Sequence, residues 1–310
     1  MDGDKKYRLV TRSDFDGLVC AVLLKAKGLI DEIKFVHPKD MQDGLIAISG
    51  DDITTNLPYV DGVHLAFDHH YSEVERVGEK DNYIIDPDAP SAARVVYNYY
   101  GGAEAFPSLS PAMLEAVDKG DAADFTKDEV LEPEDWNLLN FIMDARTGLG
   151  RFRNFRISNY QLMMDLIDYC IDHDIDDILR LPDVAERVEL YFEHKDRFKE
   201  QITHAARMDG NVLIVDLRGE ETIYAGNRFV KYALFPECNV SVQVIWGFKR
   251  QNTVLTVGKS IFNRTCNVNI GTLMLSYGGG GHANAGTCQV PNDRAESVLS
   301  EVVSALKNNQ

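Results

Sequence analysis

The chain has 310 residues, of which 45% are apolar, and a formal net charge of −17. That length exceeds what one hydrophobic core comfortably serves, so two domains are expected. The charge argues against stable, sequence-independent binding of duplex DNA, which depends on many Lys and Arg contacts to phosphate, but leaves room for a small anionic substrate held by a metal and a few arginines.

No run of about 18 apolar residues occurs, so no membrane span is expected. The start, Met1-Asp2-Gly3-Asp4-Lys5-Lys6, leads straight into Tyr7-Arg8-Leu9-Val10 without an apolar signal region. Cys20, Cys170, Cys238, Cys266 and Cys288 are odd in number and lack any C-x-x-C spacing, which suits buried thiols in a reducing compartment. A cytoplasmic location follows as the expectation.

Residues 7–13 read as a first buried strand. Asp14-Phe15-Asp16-Gly17 then forms an acidic turn, and the apolar Leu18–Leu24 reads as a helix closed by Gly28. Two carboxylates one residue apart share a site if Phe15 turns away; a helix N-terminus alone would also favour them. A second strand, Ile33–Val36, ends at His37-Pro38. A third, Leu45–Ser49, ends at Gly50-Asp51-Asp52, and the apolar Gly62–Ala66 leads to Phe67-Asp68-His69-His70. Strands alternating with helical crossovers predict a parallel sheet, and ligands of such sheets collect at the strand carboxyl ends. An Asp beside two His offers oxygen and imidazole donors to a divalent metal.

Tyr83–Asp86 reads as a further strand, and Ser91 as the start of a helix through Tyr100. The next helix runs from Pro111 to about Lys119, followed by Gly120-Asp121-Ala122-Ala123-Asp124. Asp118, Asp121 and Asp124 are spaced to share a helical face. Residues 146–156 form a basic and aromatic island whose guanidinium groups, Arg146 among them, match phosphate oxygens; pairing with neighbouring acids is the equal alternative. Residues 159–207 read as linker helices on which His173, His194 and His204 are surface residues. Strands at 211–216, 240–246 and 253–257 build a second domain. Near its end Gly278-Gly279-Gly280-Gly281-His282 precedes Ala285-Gly286, where backbone N–H groups and an imidazole can approach an anion.

In this order and spacing, D-x-D-G at 14–17, D-H-H at 68–70, G-x-x-x-D at 120–124 and the terminal G-G-G-G-H-x-x-A-G resemble the DHH phosphoesterase superfamily. The last motif resembles the subfamily with a DHH-associated C-terminal substrate domain, which includes nanoRNases, RecJ-like exonucleases and exopolyphosphatase-related proteins. The resemblance implies an α/β fold in three parts: a parallel-sheet catalytic domain at 1–158, a helical linker at 159–208 and a smaller α/β domain with a mixed sheet at 209–310. The active site would lie in the interdomain cleft.

The resemblance also implies a two-metal phosphoesterase, usually with Mn²⁺ and with Mg²⁺ as the other choice. Asp14 and Asp16 would each bind one metal, Asp52 or Asp51 would bridge both, and His69 would ligate. Asp124, with Asp121 as its competitor, would be the remaining ligand. Asp68 would orient a ligand imidazole, and His70 would support the site or touch the phosphate. His282 with Gly279, Gly280 and Gly281 would bind the substrate phosphate, as would Arg264 and Arg146. The family usually places a His two or four residues before the first Asp of D-x-D, where this chain has Arg12 and Val10. Arginine stays protonated and cannot replace a neutral imidazole. The first metal site is therefore weak, rebuilt by a residue such as His37, or absent, leaving one or two ions.

The leading expectation is hydrolysis of a phosphodiester or terminal phosphate in a small nucleotide, dinucleotide or short oligonucleotide, with Phe152, Phe155 and Tyr277 as base-stacking candidates. The alternatives are an exopolyphosphatase or pyrophosphatase, and a catalytically impaired nucleotide-binding sensor. A second copy of the chain stays open as a partner.

Overall fold

The computed structural model describes residues 5–152 and 154–308. In chain order the elements are β1 (Tyr7–Arg12), α1 (Phe15–Ala26), β2 (Ile30–Val36), α2 (Pro38–Gln42), β3 (Asp52–Thr55), β4 (Leu65–Asp68), α3 (Tyr71–Val77), β5 (Tyr83–Ile85), α4 (Ala92–Tyr99), α5 (Gly102–Ala105), α6 (Pro111–Ala122), α7 (Lys127–Leu131) and α8 (Asp135–Met143). There follow α9 (Asn159–Asp172), α10 (Ile175–Arg180), α11 (Pro182–Ala205), β6 (Ala206–Asp209), β7 (Val212–Asp216), α12 (Val230–Leu234), β8 (Val240–Trp246), β9 (Thr253–Lys259), α13 (Ile270–Leu275), β10 (Gly280–His282), β11 (Ala285–Val290) and α14 (Ala295–Asn308). No helix among the described residues is long and apolar enough to cross a membrane.

The first compact unit comprises residues 1–125 and 133–189. Its sheet is wholly parallel, in the order β2-β1-β3-β4-β5, as the alternation of strands and helices predicts. Helix α1 is apolar on nearly every side, and Phe15 through Leu24 are all buried, so it serves as the unit's central helix, against which α4, α6 and α9 pack. The direction of winding changes between β1 and β3, the point where strand carboxyl ends leave a crevice in sheets of this order.

The second unit comprises residues 126–132 and 190–310, with a mixed sheet in the order β10-β11-β9-β8-β7-β6. Only β7 and β8 run parallel, and the inward faces of β7, β8, β9 and β11 bury Val212, Ile214, Val242, Val257 and Cys288 beneath α14.

Two features depart from the sequence reading. Residues 159–208 do not form a separate linker: Leu162, Leu166 and Ile167 of α9 are buried in the first unit, where α9 packs on α1, whereas Phe198 and Ile202 are buried in the second. The stretch also ends in strand, β6, antiparallel to β7. The third strand is not Leu45–Ser49, where Leu45 is 70% exposed, but Asp52–Thr55. That shift reverses the placement of Asp52, because it makes this residue the start of a strand instead of the turn after one.

Candidate active site

Asp14 caps α1, accepting from the Gly17 backbone N–H at 3.0 Å, while Phe15 turns into the core. Gly17 admits no side chain, since a Cβ there would lie 1.9 Å from the Arg12 carbonyl oxygen. The D-x-D-G turn is thus pressed against the end of β1. Asp16 is buried, and its two oxygens accept from the Ala92 and Ala93 N–H groups, at 3.0 and 2.8 Å, in the first turn of α4. The orphan donors of that helix start hold both oxygens in place. Burial pushes the Asp16 carboxyl up to about 7, with the charge of Asp121 adding to it and that of His69 opposing.

At the end of β4, buried Asp68 accepts from the His69 N–H at 2.8 Å, from His70 Nδ1 at 2.7 Å and from the Tyr83 hydroxyl at 3.1 Å. His69 Nδ1 lies 3.1 Å from the Ala89 carbonyl, which can only accept, so the proton sits on Nδ1. That leaves Nε2 as the ligand atom of the neutral ring. It is 2.9 Å from Asp121 Oδ2, yet it is buried without a well-aligned hydrogen bond. Burial pulls His69 down, but contact with Asp121 and the charges of Asp16 and Asp68 outweigh it and raise the imidazole to about 9. Asp121 is exposed as a residue, with its side chain 23% accessible, and although desolvation acts to raise its carboxyl, the same contact with His69 holds it below the ordinary carboxylate range.

Asp16, His69 and Asp121 each offer one ligand atom, and these atoms lie within 4.8 Å of one another. Two carboxylates and one imidazole, with an orphaned Nε2 directed at the carboxylates, fit a hard divalent ion of the Mn²⁺ or Mg²⁺ kind. Gly120 helps to place Asp121, because a Cβ at 120 would strike the Asn140 side chain at 2.0 Å and push α6 from α8.

The remaining candidates divide. Asp52 starts β3 beside Arg8, accepting from its Nε at 2.6 Å and from the Ser49 N–H at 2.6 Å. Asp51 is exposed and pairs with Lys5 at 2.8 Å. Both acids therefore stand at the amino edge of the sheet, and neither bridges metals at the carboxyl edge. The residue that follows β3 is Asn56, which donates from Nδ2 to Asp14 Oδ1 at 3.3 Å. Asp124 is exposed just past the α6 cap and lies outside the ligand group. Asp118 pairs with Arg94 and accepts from Ser91. His37 caps α2, its Nδ1 accepting from Lys39 N–H, so it does not rebuild the metal site.

Arg12 Nε lies 2.8 Å from Asp14 Oδ2. Arg146 donates from Nε to Asp144 at 2.7 Å, and the charges of Asp14 and Asp121 act on it. Arg153, also in the basic island, lies outside the described residues. Phe155 packs its ring 4.2 Å from the guanidinium of buried Arg187, which also donates to the Ile157 carbonyl and Asn159, so this aromatic is a structural contact. His194, expected at the surface, is buried and accepts from the Ala225 N–H at 3.1 Å.

Within the second unit the glycine run is a β-hairpin, β10 to β11. Gly279 and Gly281 are needed for close packing, since a Cβ would meet the Thr287 carbonyl at 2.1 Å and the Ala285 carbonyl at 2.3 Å respectively. A Cβ on Gly280 would meet nothing within 4 Å, so one face of the strand is open there. His282 is exposed at the strand end. Exposed Arg264 follows β9 and donates to the Ile261 carbonyl at 3.0 Å. Its loop and the hairpin turn share one end of the sheet, where Lys259 and Ile270 donate their N–H groups to Asn284 and Ala283. Tyr277 packs on the core of this unit, its hydroxyl 3.3 Å from Glu301.

No family model matches the chain, and no protein of curated function matches it. Among solved structures it is similar to the pGpG-specific phosphodiesterase PggH from Vibrio cholerae, with 59% identity, 98% of this chain and 100% of that one covered, and a TM-score of 0.87. It shares its fold with the DHH domain of a protein described as a member of a family of ribosomal proteins, at 13% identity, 97% and 87% coverage and a TM-score of 0.62. It shares it also with RecJ of Thermus thermophilus in complex with Mn²⁺, at 13% identity, 98% and 52% coverage and a TM-score of 0.54. With PggH matched along its whole length, and with Asp16, His69 and Asp121 brought together at the strand ends, the chain belongs to the DHH superfamily of metal-dependent phosphoesterases.

Proposed function

We propose that the protein is a phosphodiesterase that hydrolyses short linear dinucleotides with a 5′ phosphate, pGpG first among them, using Mn²⁺ with Mg²⁺ as a substitute. The observation that carries this reading is the 59% identity to a pGpG-specific phosphodiesterase over the full chain. The reaction adds water across one phosphodiester bond and releases two mononucleotides.

A divalent ion at this site would supply an activated water and charge neutralisation at the phosphoryl group. The chain's own residues would do the rest. Asp16, His69 and Asp121 would hold the ion, while the Ala92 and Ala93 amides fix Asp16 and the Ala89 carbonyl keeps the proton of His69 on Nδ1. His70 is fixed by Asp68; burial lowers its affinity for a proton, and the Asp68 carboxylate outweighs that. A protonated His70 suits contact with a phosphate oxygen, as does Arg146. Within the second unit, the open strand face at Gly280, with exposed His282 and Arg264, suits contact with a phosphate. Five free, buried cysteines suit a reducing cytoplasm.

The test is Mn²⁺-dependent product release from pGpG, longer RNAs and polyphosphate, with Asp16→Ala and His282→Ala beside the wild type. Turnover of pGpG, abolished by Asp16→Ala and with a raised KM in His282→Ala, is expected. Preference for polyphosphate would overturn the substrate assignment, and tight pGpG binding without turnover would make the protein a nucleotide sensor.

A further inference from the structure

The first sheet gathers ligands for one ion and withholds them from a second. Asp14 already has donors on both oxygens: Arg12 Nε at 2.8 Å from Oδ2, with Gly17 N–H at 3.0 Å and Asn56 Nδ2 at 3.3 Å from Oδ1. Among the described residues one group of three ligand-bearing side chains occurs, Asp16, His69 and Asp121, and Asp14 is not in it. Asn56 follows β3 beside the end of β1, the place where a bridging carboxylate would have to stand, and its amide is neutral. The residue is 1% exposed, held at a left-handed φ of 54°, and its Oδ1 is buried without a hydrogen bond.

Charge completes the picture. Asp16 and Asp121 neutralise one dication, and Asp14 and Arg12 neutralise each other. A second dication at Asp14 would sit against a guanidinium that cannot shed its proton. A planar guanidinium, however, presents a fork of donors that matches two phosphoryl oxygens, and so can do at this position the electrostatic work of an ion.

We propose that Arg12 replaces the second metal ion: the protein binds one divalent ion, at Asp16, His69 and Asp121, and the Arg12 guanidinium, oriented by Asp14, is the second cation facing the substrate phosphoryl group. This rests on the phosphodiesterase reading of the same site. It also removes the expectation of a two-metal centre drawn from the family resemblance.

The experiment is a calorimetric titration of metal-free protein with Mn²⁺, paired with electron paramagnetic resonance of the loaded sample and a pGpG hydrolysis assay. One ion per chain with the spectrum of isolated Mn²⁺ is expected. Two ions with an exchange-coupled spectrum would overturn the inference and leave the phosphodiesterase reading standing, whereas no bound ion would overturn both. Arg12→Ala should keep its single ion and lose about a hundredfold in kcat; full turnover would overturn the role of Arg12. The double variant Arg12→His with Asn56→Asp should gain a second, coupled ion, and its remaining at one ion would show that these residues do not exclude it.

Discussion

Replacing Asp121 by Asn removes the charge that holds the proton on His69. The imidazole stands at about 9 instead of 6.5, a difference worth roughly 3 kcal/mol at ~1.4 kcal/mol per pH unit. Burial pulls the ring down and only the charges of Asp16 and Asp68 would then oppose it, so in Asp121→Asn of the metal-free protein His69 should titrate well below 9. Because the folded value lies above the unfolded one, the stabilisation is complete below pH 6.5 and is lost as pH rises through 9. The change at Asp16 runs its course lower, up to about pH 7. Ring-carbon NMR in chelator, with the eight histidines separated by a His69→Gln spectrum, reads the titration directly. Denaturant melts at pH 6.5 and pH 9 read the stability, which should fall with pH in the wild type and fall less in the variant, where His70 still contributes through Asp68. His69 titrating near 9 in Asp121→Asn would refute the assignment of Asp121 as its partner.

Asp52→Asn should leave Mn²⁺ affinity within about twofold and cost about 1–3 kcal/mol of stability, since it disturbs only the Arg8 and Ser49 contacts at the far edge of the sheet; lost metal binding in calorimetry would contradict this placement. Gly17→Ala should destabilise by about 1–3 kcal/mol and weaken metal binding together, because the new Cβ meets the Arg12 carbonyl and shifts Asp14 and Asp16, a loss that denaturant melts and metal titration both report. Gly279→Ala should keep its Mn²⁺ and raise KM for pGpG, since the Thr287 carbonyl forces the hairpin to move within the second unit alone. An unchanged KM would separate the hairpin from substrate binding.

The D-x-D-G turn and the D-H-H run were legible because each follows a strand whose apolar residues are local and continuous, and because the chemistry of adjacent acids and imidazoles is read from residue type. The third strand was not. Leu45-Ile46-Ala47-Ile48 has the composition of a buried strand, but Ile46 and Ile48 lie outside the sheet and pack half-buried against clusters that include Val10, Val36, Ala66 and Tyr83 of its strands. The true β3, Asp52-Ile53-Thr54-Thr55, hides its character in β-branched threonines, of which Thr55 donates its hydroxyl across to Thr11 at 2.6 Å while the Thr54 hydroxyl is buried without a hydrogen bond. One misplaced strand end promoted Asp52 and concealed Asn56. The choice between Asp121 and Asp124 was equally beyond the sequence, since it depends on α6 continuing to Ala122 and on a left-handed cap at Ala123. The glycine hairpin was recognised from composition, but only its packing tells which glycine opens a face and which merely lets two strands meet.

The three side chains proposed to hold the ion lie roughly fifty residues apart in sequence, each brought by a different segment, so a bound ion would act as a staple across two long loops. A staple of that span becomes available only after β1, β4 and α6 have met, which makes ion capture a late event in folding. Manganese added to a refolding chain should therefore slow its unraveling more than it hastens its assembly, and the cell's supply of the ion would set how long each molecule lasts as well as how fast it works.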